Sequence, residues 1–125
     1  MARKTSSNLT DAELRLMQVV WDRGSATVSD VVEALAGDVD LAYSTVLTTM
    51  RILEDKGYLR HTKEGRAFVY HPLVGRDEAK RSAVRHLVSR FFGNSREQLV
   101  LNLLDDELSA AEIKRIRKLI AESGK

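Results

Sequence analysis

A single proline, Pro72, interrupts 125 residues, and it ends the one stretch that reads as paired strands. Proline fixes φ and removes an amide donor, so its absence elsewhere leaves long segments free to be helical. A mostly α chain is the first expectation.

The helices announce their own starts. Thr10-Asp11-Ala12-Glu13 has capping-box spacing, with Leu9 and Leu14 placed for a hydrophobic staple across the cap. Leu14, Met17, Val20 and Trp21 follow at helical spacing, and Gly24 is a stop signal. A second helix follows Thr27-Val28-Ser29-Asp30, with Val28, Val31, Val32 and Leu35 on one face and Gly37 at its end. A third spans about Tyr43 to Lys56 and ends at Gly57. Its Val46, Met50 and Leu53 cluster on one side, and Ser44, Thr48, Arg51 and Asp55 lie opposite, flanked by Thr45 and Ile52. Other solvent faces of this chain are built from charged residues. This one prefers short hydroxyls, which allow a partner to approach closely.

Directly after Gly57 come two β-prone runs, Tyr58–Lys63 and Arg66–His71, joined by Glu64-Gly65 and closed by Pro72. Three short helices followed by a basic hairpin is the order of a winged helix-turn-helix. The expected fold is therefore mainly α with a small β-hairpin. Residues 1–76 form a winged helix-turn-helix DNA-binding domain in this reading, and residues 77–125 a C-terminal helical dimerisation region.

Net charge alone does not point to DNA, being only +2 over the chain. Its distribution is more telling. Residues 9–40 hold two basic against seven acidic residues, whereas residues 41–76 hold six basic against three acidic ones. Ser44, Thr45, Thr48 and Arg51 suit the major groove, where Arg51 is placed for a bidentate contact to guanine. Arg60, Lys63 and Arg66 suit phosphate or minor-groove contacts from the wing.

The last 49 residues read as helices throughout. Asp77 is placed to cap a helix carrying Val84, Leu87, Val88 and Phe91, stopped by Gly93. Ser95 and Ser109 open two further capping boxes, leading into Leu99, Val100, Leu101, Leu103 and Leu104, and into Ile113, Ile116, Leu119 and Ile120. So short a tail rarely sustains a core of its own. Its apolar side chains, Val84, Leu87, Val88, Phe91, Leu99, Leu103, Ile113, Ile116 and Ile120, are expected to bury against a second copy.

Catalysis finds no foothold. With no cysteine, disulfide frameworks, thiolate metal sites and cysteine nucleophiles are excluded. His61, His71 and His86 lack ligand spacing, and Asp105-Asp106-Glu107 reads as a solvated loop favouring the dipole of the following helix. No metal site, catalytic residue or cofactor is expected. No apolar run approaches membrane-spanning length, and Met1–Asn8 lacks an apolar signal core, so a cytoplasmic protein without membrane insertion is expected.

The run Leu41-Ala42-Tyr43-Ser44-Thr45-Val46-Leu47-Thr48-Thr49-Met50-Arg51-Ile52-Leu53-Glu54-Asp55-Lys56-Gly57-Tyr58-Leu59 resembles the penicillinase-repressor family of BlaI/MecI-like regulators. Gly65-Arg66-Ala67-Phe68-Val69-Tyr70, Leu9–Leu14 and Val19-Val20-Trp21 match as well, and the likeness extends through the helical tail. The resemblance implies a homodimeric repressor of transcription on a dyad-symmetric operator, with Thr45 and Thr48 as recognition-helix threonines. Ile52 departs from the arginine that relatives often carry there, which implies a different base preference. The copper-responsive branch holds copper with C-terminal cysteine pairs that this chain lacks. In the antibiotic-responsive branch a membrane zinc-metalloprotease sensor leads to cleavage near an Asn-Phe bond. The matching segment carries Asn102-Leu103 instead, so these two residues mark the corresponding cleavage site here.

Two other readings share the pattern. A winged-helix regulator of another family would sense a small ligand in its helical interface. A winged helix serving as a protein-interaction module would dock a partner chain with its third helix and ignore DNA.

Overall fold

The computed structural model describes residues 9–37, 41–105 and 108–123. Along the chain they form α1 (Asp11–Arg23), β1 (Ala26–Thr27), α2 (Val28–Leu35), α3 (Tyr43–Asp55), β2 (Leu59–Glu64), β3 (Ala67–Pro72), α4 (Arg76–Phe91), α5 (Arg96–Asp105) and α6 (Ala110–Ser123). Asp106 and Glu107 of the acidic triplet, like Met1–Asn8, Asp38 and Asp40, lie outside the described residues.

The α1 cap forms as its spacing predicts. The Thr10 hydroxyl accepts from the Glu13 amide at 3.1 Å, and Glu13 Oε1 accepts from the Thr10 amide at 2.8 Å. The buried face of the helix differs from the expected one. Leu14 stays exposed, and the inward line is Glu13, Leu16, Met17 and Val20. That line has the i, i+3, i+4, i+7 spacing of a core stripe. Its first place is held by a carboxylate, and reading only apolar letters shifts the stripe by one residue. Trp21 packs at the core's edge and donates from Nε1 to the Val74 carbonyl at 2.9 Å.

Thr27 and Asp30 close a second box at the start of α2, with bonds of 3.0 and 3.1 Å. Val28, Val31 and Leu35 then face the same core as Val46, Met50 and Leu53 of α3. The end of α3 is set by two backbone bonds. Gly57 donates to the Glu54 carbonyl at 3.1 Å and Tyr58 to the Leu53 carbonyl at 2.9 Å. This Schellman pair needs a left-handed residue, and Gly57 supplies it at φ +89°. Tyr58 and Leu59 are thereby delivered into the core, and β2 starts at once beside α3.

The hairpin is wider than the sequence indicates. β2 and β3 pair antiparallel, and β1 adds to the free side of β3, giving the order β1-β3-β2. Two residues are too few for strand alternation to register, so β1 is legible only once β3 offers its edge. The hairpin loop is Gly65-Arg66 rather than Glu64-Gly65, since Glu64 pairs with Ala67. Gly65 takes φ +62°, as a two-residue hairpin loop requires.

After Pro72, residues 73–76 are tied to α1. The Arg76 guanidinium reaches Asp22 at 2.6 Å and Gln18 Oε1 at 3.2 Å, and lies 5.5 Å from the centre of the Trp21 ring. α4 begins at Arg76, so Asp77 occupies its first turn instead of capping it. There an acid still favours the helix dipole.

The chain separates into two compact units, one ending at Val84 and one beginning at Arg85. In the second unit, the Ser95 and Ser109 hydroxyls accept from the Gln98 and Glu112 amides at 3.1 Å each. α5 and α6 bury none of their residues. Val88 is buried, Leu99 and Ile113 are half-buried, and Phe91, Leu103, Ile116 and Ile120 are exposed, as are Val84 and Leu87. No described helix is long and apolar enough to cross a membrane.

Candidate nucleic-acid interface

α3 is anchored from behind. Val46, Met50 and Leu53 are fully buried on its inner side, which turns Ser44, Thr45, Thr48, Arg51 and Ile52 outward. Thr49 lies between the two sides, and its hydroxyl donates to the Thr45 carbonyl at 2.9 Å. The outer face thus presents three hydroxyl side chains, one guanidinium and the apolar Ile52. Tyr43 extends it at the helix start and is about half exposed.

Strand register decides which wing residues join this face. Side chains alternate along a strand, and Leu59 pairs with Pro72, His61 with Tyr70, and Lys63 with Phe68. Leu59 and Tyr70 are buried, so this side of the sheet is the one turned to α3 and the core. Lys63 and Phe68 continue it toward the tip. Arg60, Thr62 and Glu64 alternate onto the other side, where Thr62 Oγ1 and His71 Nε2 share a hydrogen bond of 2.9 Å. The expected set therefore divides: Lys63 is grouped with the α3 face, and Arg60 sits on the sheet's outer side. Arg66 is at the loop, where it lines a 220 Å³ cleft with Tyr43 and Leu47 of α3, Phe68, and Thr27–Ser29 at the start of α2.

Electrostatics favour an anionic partner. Ion pairs among the described residues use Arg23, Lys56 and Arg76, and leave Arg51, Arg60, Lys63 and Arg66 to solvent. A cation already facing water is available to a phosphate without first breaking a bond. Burial, and after it the Glu54 charge, push the Tyr70 phenol above its ordinary value, with Arg51 opposing. Tyr70 is therefore a neutral spacer between sheet and helix. No cluster of His, Asp or Glu among the described residues has the form of a metal site.

Three features of the face escaped the sequence reading. Phe68 is exposed at the wing, although its strand position marked it only as β-prone. Tyr43, marked in the sequence only as the start of the helix, is turned outward. The third is the contact between Glu54 and His61, at 2.7 and 2.9 Å. The pair is seven positions apart, one residue at a helix end and the other on a strand, so no periodicity exposes it.

Comparison with known proteins places this geometry. The penicillinase repressor of Bacillus licheniformis is 32% identical over 120 residues, covering 95% of this chain and 94% of the relative. The solution structure of the DNA-binding domain of the repressor BlaI aligns with a TM-score of 0.54 and 35% identity, over 60% of this chain and 92% of that domain. The Bacillus licheniformis BlaI monomeric form in complex with the blaP half-operator aligns with a TM-score of 0.50 and 35% identity, over 57% of this chain and 87% of that one. The family model for the penicillinase repressor matches residues 9–122, and the chain belongs to the penicillinase repressor family.

Proposed function

We propose that this chain is a transcriptional repressor that reads double-stranded operator DNA with α3 and positions itself with the wing. The observation that carries the reading is the outward face of α3. Ser44, Thr45, Thr48 and Arg51 stand side by side there, with the uncommitted Lys63 on the adjoining side of the sheet. A helix of this form fits the major groove, and a relative 35% identical was solved with a half-operator. Arg51 reads a base edge. Lys63 and Arg66 hold phosphates, and Arg60 meets the backbone only where DNA curves around the wing's outer side.

Residues 1–76 act as the reading domain and residues 77–125 as the dimerisation region. Support for pairing comes from the apolar side chains that α4, α5 and α6 leave in water, among them Phe91, Leu103, Ile116 and Ile120. A two-fold dimer calls for a palindromic operator. Release follows cutting at Asn102-Leu103 within α5, downstream of a membrane metalloprotease sensor, in the manner the family resemblance implies. The role is one of binding, without catalysis, and its place is the cytoplasm, where the DNA is.

Fluorescence anisotropy with palindromic and scrambled duplexes tests the reading, alongside sedimentation of the free protein. Operator preference together with a dimeric mass is the expected result. Equal affinity for all duplexes would remove the reading role of α3, and a monomer at assay concentration would remove the pairing.

A further inference from the structure

The brace between Glu54 and His61 stands outside every contact assigned so far. Glu54 is in the last turn of α3, and its carbonyl accepts the Gly57 amide in the turn that ends the helix. Its carboxylate meets His61 Nδ1 at 2.7 and 2.9 Å, both oxygens engaged. An ionised carboxylate only accepts, so the ring nitrogen donates. His61 is on β2, on the side of the sheet that turns to α3. Its ring is held edge-on to Phe68 at 5.0 Å and tilted on Tyr70 at 5.7 Å. One side chain thus touches the reading helix and both strands of the wing. Lys63 is the next residue along the strand on that same side.

We propose that Glu54 and His61 are a positioning pair that sets the wing against the reading helix and thereby places Lys63 on the DNA backbone. The inference deepens the operator-binding reading and rests on it. Glu54 itself is an acid beside a polyanion. Coulomb repulsion alone predicts that removing it tightens DNA binding. Positioning predicts the reverse, because a loosened wing must order itself at the moment of binding. The two effects have opposite sign, which makes the pair testable.

The test measures operator affinity and its salt dependence for the full-length chain and for Glu54→Ala, Glu54→Gln, His61→Ala, Lys63→Ala and Glu54→Ala/Lys63→Ala. Glu54→Ala and His61→Ala are expected to weaken binding about two- to fivefold, as the loss of one side-chain hydrogen bond allows. Each should lower the salt slope by about one unit, as one lost phosphate contact does. The Glu54→Ala/Lys63→Ala variant should bind no worse than Lys63→Ala, since both changes remove one contact. Glu54→Gln keeps an acceptor for His61 and should bind at least as tightly as the unchanged chain. Tighter binding by Glu54→Ala, an unchanged salt slope, or additive losses in the double variant would overturn the proposal. Thermal melts identify a variant that has lost its fold, and His61→Ala, which removes the brace and leaves the acid in place, carries the decision where Glu54→Ala does not fold: unchanged affinity and salt slope by it overturn the positioning role. If the unchanged chain does not prefer operator over scrambled DNA, the functional reading itself fails, a result separable from any ranking of the variants.

Discussion

Glu13 at the first turn of α1 meets Lys56 at the C-terminal cap of α3, Oε1 to Nζ, at 2.7 Å. Only 4% of Glu13 is exposed, and the same oxygen accepts the Thr10 amide that closes the α1 cap. One carboxylate therefore starts the first helix and ties it to the end of the third. A buried carboxylate tolerates this place because its acceptors are occupied. Removing the cation leaves the charge inside with one partner fewer. Lys56→Met should destabilise the domain by on the order of 1–3 kcal/mol. Glu13→Gln/Lys56→Met should recover much of that loss, because it removes the buried charge as well. Urea denaturation of the four combinations reads the coupling.

The same pair sets an acid limit. Burial, the largest influence on Glu13, raises its pKa, but hydrogen bonds from Lys56 and Thr10 and the Lys56 charge together outweigh it and hold it below its ordinary value. Asp30 is likewise held below its ordinary value, first by the Thr27 amide. A carboxyl group with a lowered pKa in the folded state stabilises the fold above its unfolded pKa, and this contribution is lost as pH falls through the folded value. Stability should therefore be flat near neutrality and fall on the acid side of the ordinary carboxylate range. Glu13→Gln should narrow its gap to the unchanged chain as pH falls. A gap constant from pH 7 to pH 3 in urea midpoints would show that Glu13 does not carry this dependence.

How far the sequence was readable follows from the same residues. The capping boxes at Thr10 and Ser109, the glycine after α3 and the pairing of β2 with β3 are local signals, the boxes legible in four consecutive letters and the hairpin in fourteen. The face of α3 was legible because its apolar and hydroxyl residues follow one period. The burial of Glu13 was not, since an acid in a core stripe needs Lys56, 43 residues away. The division of Arg60 from Lys63 needs the register of β2 against β3 and the buried side of the sheet. Glu54 and His61 meet only because the Gly57 turn folds the strand back beside its helix. Local chemistry writes the elements, and meetings between elements decide which of their charges remain free.

On the proposed operator-binding role, Arg51 and Lys63 separate reading from holding. Arg51→Ala should cost about 1–3 kcal/mol per half-site and flatten the preference for operator over base-substituted duplexes. Lys63→Ala should weaken operator and scrambled DNA alike and lower the salt slope by about one unit. Arg60→Ala, on the sheet's outer side, should change affinity least of the three unless the DNA bends toward that side. Competition titrations at two salt concentrations distinguish these outcomes, and equal effects from Arg51 and Lys63 would dissolve the division of labour.

The proposed cut at Asn102-Leu103 would act on the apolar side chains that follow it. The bond lies inside α5, so a protease reaches it only when the helix opens locally. α5 favours such opening, because none of its residues is buried in the single chain and tertiary packing holds it weakly. A cut there separates α6, with Ile113 half-buried and Ile116 and Ile120 exposed, from the rest. Each of these side chains is worth about 1.5–3 kcal/mol when fully buried against a partner. Losing three of them should leave a monomer whose reading helix is intact. A chain ending at Asn102 should therefore sediment as a monomer, keep the thermal signature of the first unit and bind a half-operator as the full-length chain does. On the palindromic operator it should lose the gain that comes from joining two readers. If the shortened chain binds the palindrome as tightly as the full-length chain at equal salt, release does not run through this bond.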